Sequence, residues 1–109
     1  MYLAELKKLL EQTDLPVTYS HWRKGQDPKL PYIVFIRIDS ETIGSDYANE
    51  LRRDTYDIEL YAGTKDPVAE AALERVLDGA GISYECYEEY IDTEDLYQVV
   101  YTIELYYRR

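Results

Sequence analysis

Leu30-Pro31-Tyr32-Ile33-Val34-Phe35-Ile36-Arg37-Ile38 is the stretch on which the fold turns. It is a nearly continuous apolar run, rich in β-branched and aromatic residues, and too short for an ordinary core helix. Its two alternating faces, Tyr32/Val34/Ile36/Ile38 and Ile33/Phe35/Arg37, are both mostly apolar. A strand with one wet face alternates, so this pattern predicts a strand covered on both sides and central to a sheet.

Upstream, Leu3, Leu6, Leu9 and Leu10 recur at helical spacing between Tyr2 and Gln12, predicting an amphipathic helix that Thr13-Asp14 and Pro16 bring to an end. Val17 to Trp22 alternates as a short strand, and Arg23 to Lys29 reads as a loop. Downstream of the apolar run, Asp39 to Glu50 is polar and reads as a long acidic loop. Tyr56, Ile58 and Leu60 then alternate with Thr55, Asp57 and Glu59, as in a half-buried strand. Asp66-Pro67 starts a second helix whose stripe is Ala69, Ala72, Leu73, Val76, Leu77 and Ala80, and Gly79 and Gly81 end it. Ile82 to Ile91 is a fourth strand whose alternation slips near Cys86-Tyr87, the mark of a bulge. Asp92 to Asp95 turns into the last strand, Leu96 to Tyr106, closing a hairpin. The expected fold is α+β: a mainly antiparallel five-stranded sheet with two helices on one face, in the order α-β-β-β-α-β-β. One domain spans residues 1–109, with no repeat or linker.

Charge limits the function classes. Twelve basic against twenty-two acidic side chains give −10 at pH 7. Phosphate-backbone affinity comes largely from Lys and Arg, so a nucleic-acid-binding module is not expected. The chain is nevertheless 46% hydrophobic, which sets it apart from a disordered acidic tail. Thirteen tyrosines against one Phe and one Trp suit surfaces dry on one side and polar on the other, whether amphipathic sheet faces or a protein interface. The single cysteine allows neither an internal disulfide nor a Cys-based zinc site. No signal-like start and no run of roughly 20 apolar residues occurs, so a cytoplasmic protein with no membrane partner is expected.

Chemistry is sparse. His21 lies beside Trp22 in a strand pattern, and Cys86 sits among tyrosines and acids that disfavour a thiolate. Glu85, Glu88, Glu89, Asp92, Glu94 and Asp95 form an acidic run without the glycine and ligand spacing of a calcium loop. Gly79-Ala80-Gly81 follows a helix instead of opening one, so it cradles no phosphate. No catalytic, cofactor-binding or metal residue is assigned, and no enzyme activity is expected.

Taken in order, several segments resemble the small tail-terminator, or tail-completion, proteins of long-tailed bacteriophages, particularly those of Gram-positive hosts. They are Leu9 to Val17, Tyr19-Ser20-His21-Trp22, Leu30 to Phe35, Tyr56 to Tyr61, Lys65-Asp66, and Tyr90 to Tyr101. The resemblance implies a structural virion protein assembled in the bacterial cytoplasm. It would form a homo-oligomeric, hexameric ring that caps the tail-tube protein and meets the head-connector or stopper protein, with DNA passing through unbound. Under this reading Asp39, Glu41, Asp46, Tyr47 and Glu50 are candidates for a lumen or tail-tube contact. Tyr61, Tyr87, Tyr90, Tyr106 and Tyr107 are candidates for the subunit interface. The alternatives are another neck or minor tail protein of this fold, or an acidic DNA-mimic inhibitor of a basic host protein.

Overall fold

The computed structural model describes residues 1–26, 28–44 and 51–108. Helix α1 (Leu3–Glu11) leads into strand β1 (Val17–Tyr19), followed by β2 (Tyr32–Ile43) and β3 (Leu51–Ala62). Helix α2 (Pro67–Gly79) then precedes β4 (Tyr84–Ile91), a 3-10 turn (Asp92–Glu94) and β5 (Leu96–Arg108). The five strands form one sheet in the order β1-β2-β3-β5-β4. The fold is α+β as expected, but the sheet is mixed and the 3-10 turn interrupts the expected succession of elements. β1 runs parallel to β2, while β2/β3, β3/β5 and β4/β5 are antiparallel. A parallel neighbour needs a crossover of a dozen or so residues, and the segment between Tyr19 and Tyr32 has that length.

Both helices end where local chemistry satisfies their free backbone groups. The Tyr2 N–H donates to Glu5 Oε1 at 3.0 Å, and the Ala69 N–H donates to Asp66 Oδ1 at 3.1 Å. These bonds satisfy donors that a helix start otherwise leaves open. At the other end of α1, Thr13 Oγ1 donates to the Leu10 carbonyl at 2.7 Å, and Asp14 takes a left-handed φ of 64°. Gly81, at φ 71°, turns the chain out of α2.

The core forms where the apolar stripes of the two helices meet one face of the sheet. Leu6 and Leu10 of α1 and Ala69, Leu73 and Leu77 of α2 pack with Ile33, Phe35, Tyr56, Ile58, Leu60, Val99, Tyr101 and Ile103. Registers align these sheet residues across strands: Ile33–Leu60–Val99 in one row, Phe35–Ile58–Tyr101 in the next. Burying each large aliphatic stabilises the fold by about 1.5–3 kcal/mol.

The structure revises three sequence expectations. The middle strand is β3, not the apolar run, which lies in β2 between β3 and the short β1. Among the described residues, no helix covers the second face of β2. There Val34 aligns with Glu59 and Val100, and both valines are buried, in a row that continues to Tyr87 and lies next to the row of Tyr32 and Tyr61. The bulge falls in β2, where the pairing passes from Arg37/Tyr56 to Asp39/Thr55 and leaves Ile38 unpaired and exposed. β4 runs in unbroken register with β5. Its lost alternation reflects an edge strand exposed on both faces, not an inserted residue.

The third revision concerns Asp39 to Glu50. Asp39 and Glu41 belong to β2, paired with Thr55 and Arg53, so they are not loop residues. The sequence concealed this because neither face of the strand meets a core there, and alternation appears only where one face does. Asp46, Tyr47 and Glu50 lie outside the described residues. β2, β3 and β5 continue past the helix-covered core as a three-stranded arm, and the molecule measures 49 × 30 × 23 Å. Tyr2 braces the arm at its C-terminal strand: its ring lies 5.0 Å from that of Tyr107, and its hydroxyl donates to the Arg108 carbonyl at 3.3 Å.

Candidate interaction surface

The face of the sheet away from the helices is built by the alternate residues of each strand. Its rows read Tyr32–Tyr61–Gln98–Glu89, Val34–Glu59–Val100–Tyr87 and Ile36–Asp57–Thr102–Glu85. Hydrogen bonds order it. Gln98 Nε2 donates to the Tyr61 hydroxyl at 2.9 Å, and that hydroxyl donates to Glu59 Oε1 at 3.0 Å. Thr102 Oγ1 donates to Asp57 Oδ1 at 2.6 Å. Burial, and then the Glu59 carboxylate, push the Tyr61 phenol well above its ordinary 10. Burial likewise raises Glu59, and the Tyr61 hydrogen bond opposes it. Tyr61 is thus half-buried with its hydroxyl already engaged.

On the arm, Glu41 and Arg53 form an ion pair across β2 and β3. The adjacent Tyr106 on β5 is exposed and donates to Glu104 Oε2 at 3.1 Å. At the root of the arm, the buried Asp54 accepts from Ser40 Oγ at 2.6 Å, with Arg37 Nη1 at 3.9 Å. Where β5 runs on past the start of β4, a cleft of about 680 Å³ opens, lined by Ile82, Glu85, Glu104 and Tyr106 among others. Tyr107 turns to the helix side, half-buried against Tyr2.

The β4 edge completes the surface. Tyr87 is 55% exposed on this face between Glu85 and Glu89, and Tyr90, 50% exposed, stands on the helix side of the same strand. Lys65 bridges Glu70 at 2.9 Å and Glu88 at 2.7 Å, and the Tyr97 hydroxyl also donates to Glu88 at 2.7 Å. The Lys65 and Tyr97 bonds hold the Glu88 carboxyl below its ordinary value.

Of the five candidate interface tyrosines, Tyr87, Tyr90 and Tyr106 project outward, while Tyr61 and Tyr107 are partly absorbed by the fold. The Glu41–Arg53 and Asp54–Ser40 pairs had no signal in the sequence, because each joins residues on neighbouring strands in a register unknown beforehand.

The two reactive residues remain apart. His21 is exposed, with Nδ1 3.1 Å from Ser20 Oγ. Burial and the Glu74 carboxylate push the Cys86 thiol above its ordinary 9, which keeps thiolate scarce at neutral pH. Among the described residues, no group of three or more His, Cys, Asp and Glu side chains is placed to hold a metal ion. Nor is any described helix long and apolar enough to cross a membrane. The arrangement suits non-covalent docking through aromatic anchors set among carboxylates. No protein-family model matches the chain, and no curated protein matches it.

Proposed function

We propose that the protein is a structural subunit of a long-tailed phage particle, a tail terminator whose copies ring the end of the tail tube and join it to the head connector. The observation that carries the reading is the arm of β2, β3 and β5, which among the described residues extends beyond the helix-covered core and is braced there by Tyr2 ahead of α1. A polar three-stranded ribbon gains little from its own fold, and a neighbouring subunit or tube ring is the natural source of further contacts. The sequence resemblance points the same way, and the exposed Tyr87, Tyr90 and Tyr106 supply aromatic anchors. The net charge of −10 fits a passage wall that repels phosphate, so DNA slides without sticking.

Particles assembled without the protein test the proposal. Overlong or unattached tails are expected in micrographs. Asp39→Lys combined with Asp46→Lys should fold normally yet lower the yield of infectious particles at least tenfold. Normal tail length and infectivity in the absence of the protein would sink the reading. The acidic outer face, with Asp57, Glu59, Glu85 and Glu89, favours one rival, a DNA-mimic that occupies a basic host protein. Competition with DNA for such a partner, with normal tails, would establish that rival.

A further inference from the structure

The two edges of the sheet carry opposite charge. At one edge, the connection from β1 to β2 places Arg23, Lys24 and Lys29 on the surface, with Leu30 42% exposed beside them. Trp22 fixes this connection against the sheet, its ring 5.6 Å from that of Tyr32. None of the three cations forms an ion pair with a described carboxylate. At the other edge, β4 presents Glu85 and Glu89 with Tyr87 and Tyr90, and residues 82–95 contain six acids and no base. In a chain of net charge −10, a connection whose sequence has three bases against one acid, Asp27, is a local exception.

β1 and β4 lie at the opposite ends of the strand order. Three to four strand spacings, about 14–19 Å, separate β4 from this connection, beyond the screening length at physiological salt. Of the acidic run, Glu94 in the turn after β4 comes near the connection, close enough to Tyr32 that, after burial, its carboxylate raises that phenol. Glu85 and Glu89 on β4 do little to neutralise the connection within one molecule. A second copy brings the two into contact.

We infer that copies of this chain associate head to tail, the basic β1–β2 connection of one docking on the acidic, tyrosine-bearing β4 edge of the next. The inference rests on the ring reading and specifies its contact. Arg23 meets carboxylates in the paired geometry that guanidinium favours, its plane also suits a tyrosine face, and Leu30 finds apolar surface on the Tyr87 ring, which lies between Glu85 and Glu89. A second copy fits better than an unrelated basic partner, because one contact satisfies both edges and leaves each end ready for the next copy. Such a heterologous contact closes into a ring if the rotation per copy divides a full turn. β4 runs about 26 Å and the molecule is 23 Å thick, so this edge offers about 600 Å². Stable complexes bury about 800 Å² per partner. The free protein should therefore associate weakly and in a salt-dependent way, and more firmly on a template that aligns the copies.

Sedimentation velocity on the full chain, over a concentration series at low and high salt, tests the contact. The wild type should self-associate at low salt and dissociate as salt rises. Arg23→Glu with Lys24→Glu and Lys29→Glu makes both edges acidic. Glu85→Lys with Glu89→Lys puts cations in place of the two acids that flank Tyr87 on the outward face of β4. Each variant alone should lose self-association at least tenfold, and an equimolar mixture of the two should recover it as alternating pairs. Wild-type oligomers whose mass neither variant changes would overturn the edge assignment and leave the ring reading standing. So would a mixture that fails to recover association. A wild type that stays monomeric at low salt overturns the contact as well, and tail length in particles lacking the protein then decides the ring reading separately.

Discussion

Tyr101 shows how single residues set the chemistry of this core. It is fully buried and donates its hydroxyl to Glu74 Oε2 at 2.7 Å, bringing a carboxylate of α2 to the sheet. Burial first, then the Glu74 hydrogen bond, hold the phenol far above its ordinary 10. Burial also leads the upward shifts of Tyr32, Tyr56, Tyr61 and Tyr84. A phenol raised on folding keeps its proton in the native state where the unfolded chain would release it. Its contribution to stability is therefore complete below about pH 10 and is lost as pH rises from there through the folded value. An alkaline titration followed by phenolate absorbance should show two phases. The buried set should ionise last, together with loss of the helical circular dichroism. A single phase near pH 10 with the fold intact would contradict the burial described here. The abundance of tyrosine was plain in the sequence. Which phenols were sealed was not, because that depends on which strand stands opposite.

At the scale of elements, β2 and β3 carry the clearest contrast. Ile58 is fully buried on β3, whereas Ile38 sits 53% exposed at the bulge in β2. Ile58→Ala should destabilise the protein by about 2–5 kcal/mol, through lost transfer energy and the cavity left behind. Ile38→Ala should stay within about 0.5 kcal/mol. Urea denaturation of both variants checks this, and a large loss at Ile38 would mean the bulge is misplaced. The sequence ranks these residues alike, since both are isoleucines in strand patterns. Other elements were legible because their signals are local. The Leu6/Leu10 spacing marks α1, Asp66-Pro67 marks the start of α2, and the alternation of Tyr56, Ile58 and Leu60 marks the buried side of β3. The continuation of β2 through Ile43 was not legible, because it pairs backbone to backbone with β3 while neither face meets the core.

Across the whole molecule, stability should fall from the helix-covered end toward the arm. Amide exchange should be slowest around Ile58, Leu60 and Tyr101, where the sheet lies under both helices, and faster by orders of magnitude at Glu41, Thr42 and Arg52. Adding assembled tail tube, or raising protein concentration at low salt, should slow exchange in whichever region becomes covered. Uniform protection along β2 would show that the arm is as firmly held as the core. The sequence by itself determined an acidic α+β chain with two amphipathic helices and a closing hairpin, because helix caps, periodicity and charge are properties of neighbouring residues. Only the tertiary structure decided that β3 is the middle strand, that β1 runs parallel, that the acidic segment is partly an arm, and that β4 with Glu85 and Glu89 is an edge strand. Those features depend on which distant strands pair and in what register, and that choice is made when the apolar faces close together.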